Sequence, residues 1–161
     1  MNAERPQSDA TIRRRRTQRP VHAPNGWEGA PTYLLEAKLA PPRPPTGFVV
    51  RPRVSAMFEA AAARPLTVVS AGPGWGKTLA AAAWAASGPA VGKLAWVSLD
   101  EGDSEPRLFW SYVLTALRRS GVVPPENDLA ELVPGPAVDE EIIRRILYGI
   151  SKLPEPVVLV L

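Results

Sequence analysis

The run Ser70-Ala71-Gly72-Pro73-Gly74-Trp75-Gly76-Lys77-Thr78 constrains this chain more than any other stretch. It fits the pattern small-x-x-x-x-Gly-Lys-Ser/Thr, with Ala71 where the strict pattern has glycine. In such a loop the backbone N–H groups surround a polyphosphate. Lys77 would reach the β- and γ-phosphates, and the Thr78 hydroxyl would ligate Mg²⁺. The flanks agree with that reading. An apolar, β-branched run from Leu66 to Ser70 precedes the loop, and an Ala-rich helix-forming run from Lys77 to Ala86 follows it. Strand–loop–helix is the context the pattern requires. A helix N-terminus aimed at the ligand adds free N–H groups and the positive end of its dipole. The candidate binding residues are therefore Ala71, Gly72, Pro73, Gly74, Trp75, Gly76, Lys77 and Thr78, with Thr78 also the metal candidate. No catalytic residue is assigned.

Other chemistries are excluded by composition. Cysteine is absent and His22 is the single histidine, so disulfides, thiolate metal sites and histidine clusters are ruled out. The chain has 161 residues and is 45% apolar, enough for one domain with a core. Its net charge of +3 resides in the first thirty residues, where six Arg face Glu4, Asp9 and Glu28. The remainder is neutral, so a field that could attract nucleic acid belongs to the tail alone. Arg13-Arg14-Arg15-Arg16 reads as a solvated, disordered extension by composition, with nucleic acid or acidic lipid as alternative contacts. The polar residues after these arginines exclude an export signal. The weakly apolar stretch from Leu79 to Leu99 is broken by Gly88, Pro89, Gly92 and Lys93, which argues against a membrane span. A cytoplasmic location is the expectation.

Pattern divides the chain into a disordered basic tail (1–31), a Pro-rich strap (32–53) and a partial phosphate-loop domain (54–161). Helices are expected over Val54–Ala63, Lys77–Ala86, from about Ser104 to Arg119, and over Val138–Lys152. Strands are expected at Leu66–Ser70, Leu94–Leu99 and Val157–Leu161. The alternation predicts an α/β fold, a parallel-sheet P-loop NTPase core with three α/β/α layers, incomplete at its C-terminus. In such sheets ligands lie at the carboxyl ends of strands, so the loop after Ser70 and the acidic turn after Leu99 should share a rim. P-loop NTPases place an Mg²⁺-binding Asp at the end of another apolar strand. Here a suitable strand arrives at Leu161 and the sequence stops, so the chain is expected to be truncated.

The ordered set of flanking motifs resembles a known family. Leu34-Leu35-Glu36-Ala37-Lys38-Leu39, Pro42-Arg43-Pro44 and Val50-Arg51-Pro52-Arg53-Val54 precede the loop. Ala83-Trp84-Ala85-Ala86-Ser87-Gly88, Trp96-Val97-Ser98-Leu99-Asp100-Glu101-Gly102-Asp103 and Arg107-Leu108-Phe109-Trp110-Ser111-Tyr112-Val113 follow it. Over residues 33–161 this succession is similar to the N-terminal ATP-binding region of MalT-like activators of the LuxR type, which are STAND-class ATPases. The resemblance implies a Mg·ATP-binding switch in a transcription regulator. In that family ATP and an inducer drive a resting monomer to a self-associated, DNA-binding form, and slow hydrolysis resets it. The sensor and helix-turn-helix lie beyond residue 161, so self-association and DNA binding belong only to a longer parent. At most a slow ATPase is expected of this chain.

The resemblance implies adenine or phosphate contacts for Arg51 and Arg53, with solvated surface arginines as the alternative. Asp100 and Asp103 stand on the expected rim and could order a water near Mg²⁺, although Asp103 also suits a helix cap. Trp75 could cover the nucleotide or pack on the adjacent helix, while Trp84, Trp96, Trp110 and Phe109 read as core. The family places a further strand, later in sequence, between the loop strand and the last strand here. An unfilled slot or a rearranged pairing, and marginal stability, are therefore expected. Two other function classes stay open. A phosphotransferase of the kinase type would have Asp100 and Glu101 as its acid–base candidates, and a nucleic-acid-binding protein would act through the arginine tail.

Overall fold

The computed structural model describes residues 34–90 and 92–161. The basic tail, His22 and Tyr33 lie outside them. Four α-helices and two β-strands form among the described residues: α1 (Pro52–Ala62), α2 (Lys77–Ala86), β1 (Lys93–Trp96), α3 (Pro106–Arg119), α4 (Glu140–Ser151) and β2 (Val157–Val160). Short 3₁₀ turns occupy Glu36–Leu39, Glu101–Ser104 and Asp128–Ala130. None of these helices is long and apolar enough to cross a membrane.

The helix ends follow from local chemistry. Proline opens α1 and α3, where its missing N–H costs nothing. The Glu105 carboxylate caps α3 by accepting from the Arg107 and Leu108 amides. Asp139 caps α4 by accepting from Ile142 N at 2.9 Å, with Glu140 and Glu141 in the first turn. The cap of α3 corrects the expectation of Asp103 in that role. Asp103 instead closes the preceding 3₁₀ turn, in a reciprocal capping box with Asp100.

β1 and β2 run parallel, with Lys93 opposite Val157 and Trp96 opposite Val160. Period-two alternation sends their side chains to two faces. Ala95, Val97, Val157 and Leu159 pack into a core with α3, α4 and the Asp128–Ala130 turn, centred on Tyr112, Val113, Leu114, Leu117, Leu129 and Ile146. Trp96 and Val160 face the other way, onto Ala81 and Ala82 of α2 with Phe58 of α1 beside them. One sheet thus carries two unlike layers. The loop between α3 and α4 belongs to the first of these, because Leu129 and Leu132 are buried in that core and Val123 packs against it. Arg118 secures that loop by donating to the carbonyls of Leu129 and Leu132. Burial works against its charge and lowers its pKa.

The expected strand at Leu66–Ser70 does not form. No ladder includes it, and Leu66, Val68 and Val69 are exposed by 80%, 79% and 49%. An apolar β-branched run signals a capacity for burial, but a strand also needs a hydrogen-bonded neighbour. Among the described residues β1 and β2 pair only with each other. In α1, Val54, Phe58 and Ala61 turn inward, while Met57 is 71% exposed.

Candidate functional site

The loop from Ala71 to Gly76 joins this unpaired run to α2, and its glycines have separate tasks. Gly74 and Gly76 both sit at φ 75°, a left-handed conformation that side-chain-bearing residues adopt at a cost. Gly72 is constrained sterically, since a Cβ there would come within 3.0 Å of Trp75 Nε1. The Trp75 ring lies against Gly72 and is 74% exposed, which argues against the alternative in which it packs on the adjacent helix.

Gly76 is also the N-cap of α2 and brings no side-chain oxygen to the helix end. The first-turn amides of α2 therefore lack the carboxylate that caps α3 and α4. The Lys77 ammonium curls back over the loop and donates to Ala71 O at 2.8 Å and Gly72 O at 3.0 Å. An ammonium has three N–H donors, so two carbonyls leave one for a further acceptor. Thr78 is exposed in the first turn of the helix. Unspent amide donors and a positive charge together form a surface suited to an anion rich in oxygen.

A groove opens beside the loop. Phe48, Val50, Arg51, Val54 and Ser55 form one wall, and Gly76 with Ala80 and Ala83 of α2 form the other. Arg51 stands at the N-terminus of α1 and reaches this groove, whereas Arg53 is exposed and does not line it. The groove walls are apolar apart from Arg51 and Ser55, and the adjacent loop contributes backbone groups and the Lys77 ammonium.

The acidic turn after β1 is differently engaged. Lys38 donates to Asp103 Oδ2 at 2.6 Å and meets Asp100 Oδ2 at 2.7 Å. The Asp103 carboxylate also accepts from the Asp100 amide at 2.8 Å. The Lys38 ammonium and the Gly102 N–H hold the Asp100 carboxyl below the usual carboxylate range. The two carboxylates in turn raise the Lys38 pKa. These bonds place the two carboxylates in a structural clamp on the strap. The same strap is fixed by Ser98 N donating to Lys38 O at 2.8 Å and by Leu35 N donating to the Tyr112 hydroxyl at 3.1 Å. Glu101, the remaining acid–base candidate, is exposed.

The tryptophans expected in the core divide. Trp84 and Trp96 are buried, whereas Phe109 and Trp110 pack partly buried against the larger core. Sequence reasoning missed Glu59, whose carboxylate accepts from Trp84 Nε1 at 2.8 Å and from Ala90 N at 2.8 Å. Its one legible signal was a lone acid in the largely apolar run from Ala56 to Ala62, four residues after Ser55.

Comparison with known proteins places this geometry in a context. The chain is 39% identical over 85 residues to the HTH-type transcriptional regulator MalT of Serratia proteamaculans (strain 568), which is 53% of this chain and 9% of that protein. The regulator of the same name from Cronobacter sakazakii (strain ATCC BAA-894) is 36% identical over 87 residues, 54% of this chain and 9% of the relative. That from Vibrio cholerae serotype O1 (strain ATCC 39315 / El Tor Inaba N16961) is 33% identical over 99 residues, 60% and 11% respectively. No family model and no solved structure matches the chain. The aligned portion is thus about a tenth of each relative's length. Over about half its length, this chain is homologous to MalT transcription regulators.

Proposed function

We propose that residues 71–78 bind the phosphates of Mg·ATP, within the P-loop NTPase layer of a MalT-like transcription regulator. The observation that carries this reading is the Lys77 ammonium resting on the Ala71 and Gly72 carbonyls, at a helix N-terminus capped only by a left-handed glycine. Phosphate oxygens would take the first-turn amides and the third ammonium proton, and the helix dipole adds to their attraction. Thr78 is the metal ligand in this reading. The base lies in the groove between Phe48–Ser55 and Gly76–Ala83, with Arg51 at its edge.

The module acts as a switch: nucleotide binding orders the loop layer, and a longer regulator converts that order into self-association and DNA binding. Its standing as a switch rather than a phosphotransferase is supported by the engagement of Asp100, one of the two acid–base candidates, in an ion pair with Lys38. Calorimetric titration with Mg·ATP tests the reading. The native chain is expected to bind saturably, and Lys77→Ala to weaken binding tenfold or more, the order expected for losing a charge-assisted hydrogen bond. Equal affinity in both proteins would refute it.

A further inference from the structure

We infer that Glu59 is a positioning residue that sets the width of the base groove; this rests on the nucleotide reading of the same site. The two groove walls are carried by different helices, α1 through its N-cap Arg51 with Val54 and Ser55, and α2 through its N-cap Gly76 with Ala80 and Ala83. Their separation therefore depends on how α1 is fastened to α2. Four residues is one turn, so Glu59 lies on the same face as Ser55, and Trp84 on the same face as Ala80. Just beyond the groove the Glu59 carboxylate bridges α1 to Trp84 Nε1 on α2 and to Ala90 N, in the segment leading to β1. Phe58 and Trp84 stack beside this bridge, with ring centroids 5.7 Å apart and planes 20° from parallel.

Few other features restrain the two helices. The buried residues α2 brings to this layer are Ala81, Ala82 and Trp84, and no α1 residue is fully buried. Small apolar contacts allow sliding, whereas a carboxylate with two N–H donors at 2.8 Å fixes a distance. The phosphate loop does not depend on this bridge, because Lys77 and the α2 amides belong to one continuous segment. Glu59 should therefore govern recognition of the base and leave recognition of the phosphates alone.

The test uses the full chain and two ligands, Mg·ATP and Mg·tripolyphosphate, the second having phosphates and no base. Glu59→Gln keeps the size of the side chain but turns an N–H₂ toward one of the two donors. It is expected to weaken ATP about tenfold, the order of one lost charge-assisted bond, and tripolyphosphate less than about twofold. Trp84→Phe retains the stack and removes one donor, so a smaller loss confined to ATP is expected. Unchanged ATP affinity in both variants, or parallel losses for the two ligands, overturns the inference while the nucleotide reading stands. A native chain that takes up neither ligand overturns both.

Discussion

The two faces of the β1–β2 sheet are covered by layers of very different construction. On one face α3, α4 and the buried Asp128–Ala130 turn bring together Tyr112, Leu114, Leu117, Leu129 and Ile146, each exposed by 2% or less. On the other, α2 offers mainly alanine, and the run 66–70 that leads into the phosphate loop leaves Leu66 and Val68 exposed by 80% and 79%. Burying a leucine stabilises by roughly 1.5–3 kcal/mol, and alanine has far less apolar surface to contribute. The first layer is a scaffold held by area. The second is held by a few directed interactions, among them the Glu59 bridge and the Phe58–Trp84 stack. The candidate phosphate loop sits entirely in the second layer. Segments that must close on a ligand come from the less stable parts of a protein, and this division places the loop there.

The largest effect that could break this comparison is a pair of truncations. Leu117→Ala should destabilise the chain by about 3 kcal/mol in urea, through lost burial plus a cavity. Val68→Ala should change stability by less than about 0.5 kcal/mol, because its side chain is already in water. Similar costs at the two positions would show that the layers are not unlike.

A smaller effect concerns the clamp that holds the strap to the rim. Lys38 and the Gly102 amide depress the Asp100 pKa, so the ionised carboxylate stabilises the fold above its ordinary value of 3.8. That contribution should disappear as pH falls through the lower value Asp100 has in the folded chain. The Lys38 pKa is shifted upward from 10.5, so its part is complete throughout the neutral range. Urea midpoints measured from pH 7 to pH 3 should therefore fall at the acid end, and Asp100→Asn should shallow that fall. An identical acid slope in the variant would remove Asp100 from the clamp.

Much of the helical skeleton was legible in the sequence, and the reason is local. Helix α2 occupies Lys77–Ala86 as its composition predicts, and α3 ends at Arg119 as expected. A helix satisfies its backbone within its own segment, so periodicity and caps suffice to locate it. The Leu66–Ser70 run reads as a strand from the same kind of evidence, yet forms none, because its hydrogen bonds must come from elsewhere in the chain. The candidate site divides likewise. Ala71 to Thr78 carry their pattern in consecutive residues. The Glu59 bridge joins positions 25 and 31 residues apart, and the Lys38–Asp103 pair spans 65. Such contacts exist only once helices pack, so composition and spacing do not announce them.

The central claim is that the loop layer, and not the scaffold, takes up the nucleotide. Amide hydrogen exchange of the chain with and without saturating Mg·ATP tests it directly. The account predicts slowed exchange at residues 72–80 and 48–55, with the amides of α4 unchanged. Protection absent from residues 72–80, or spread evenly over both layers, would contradict it.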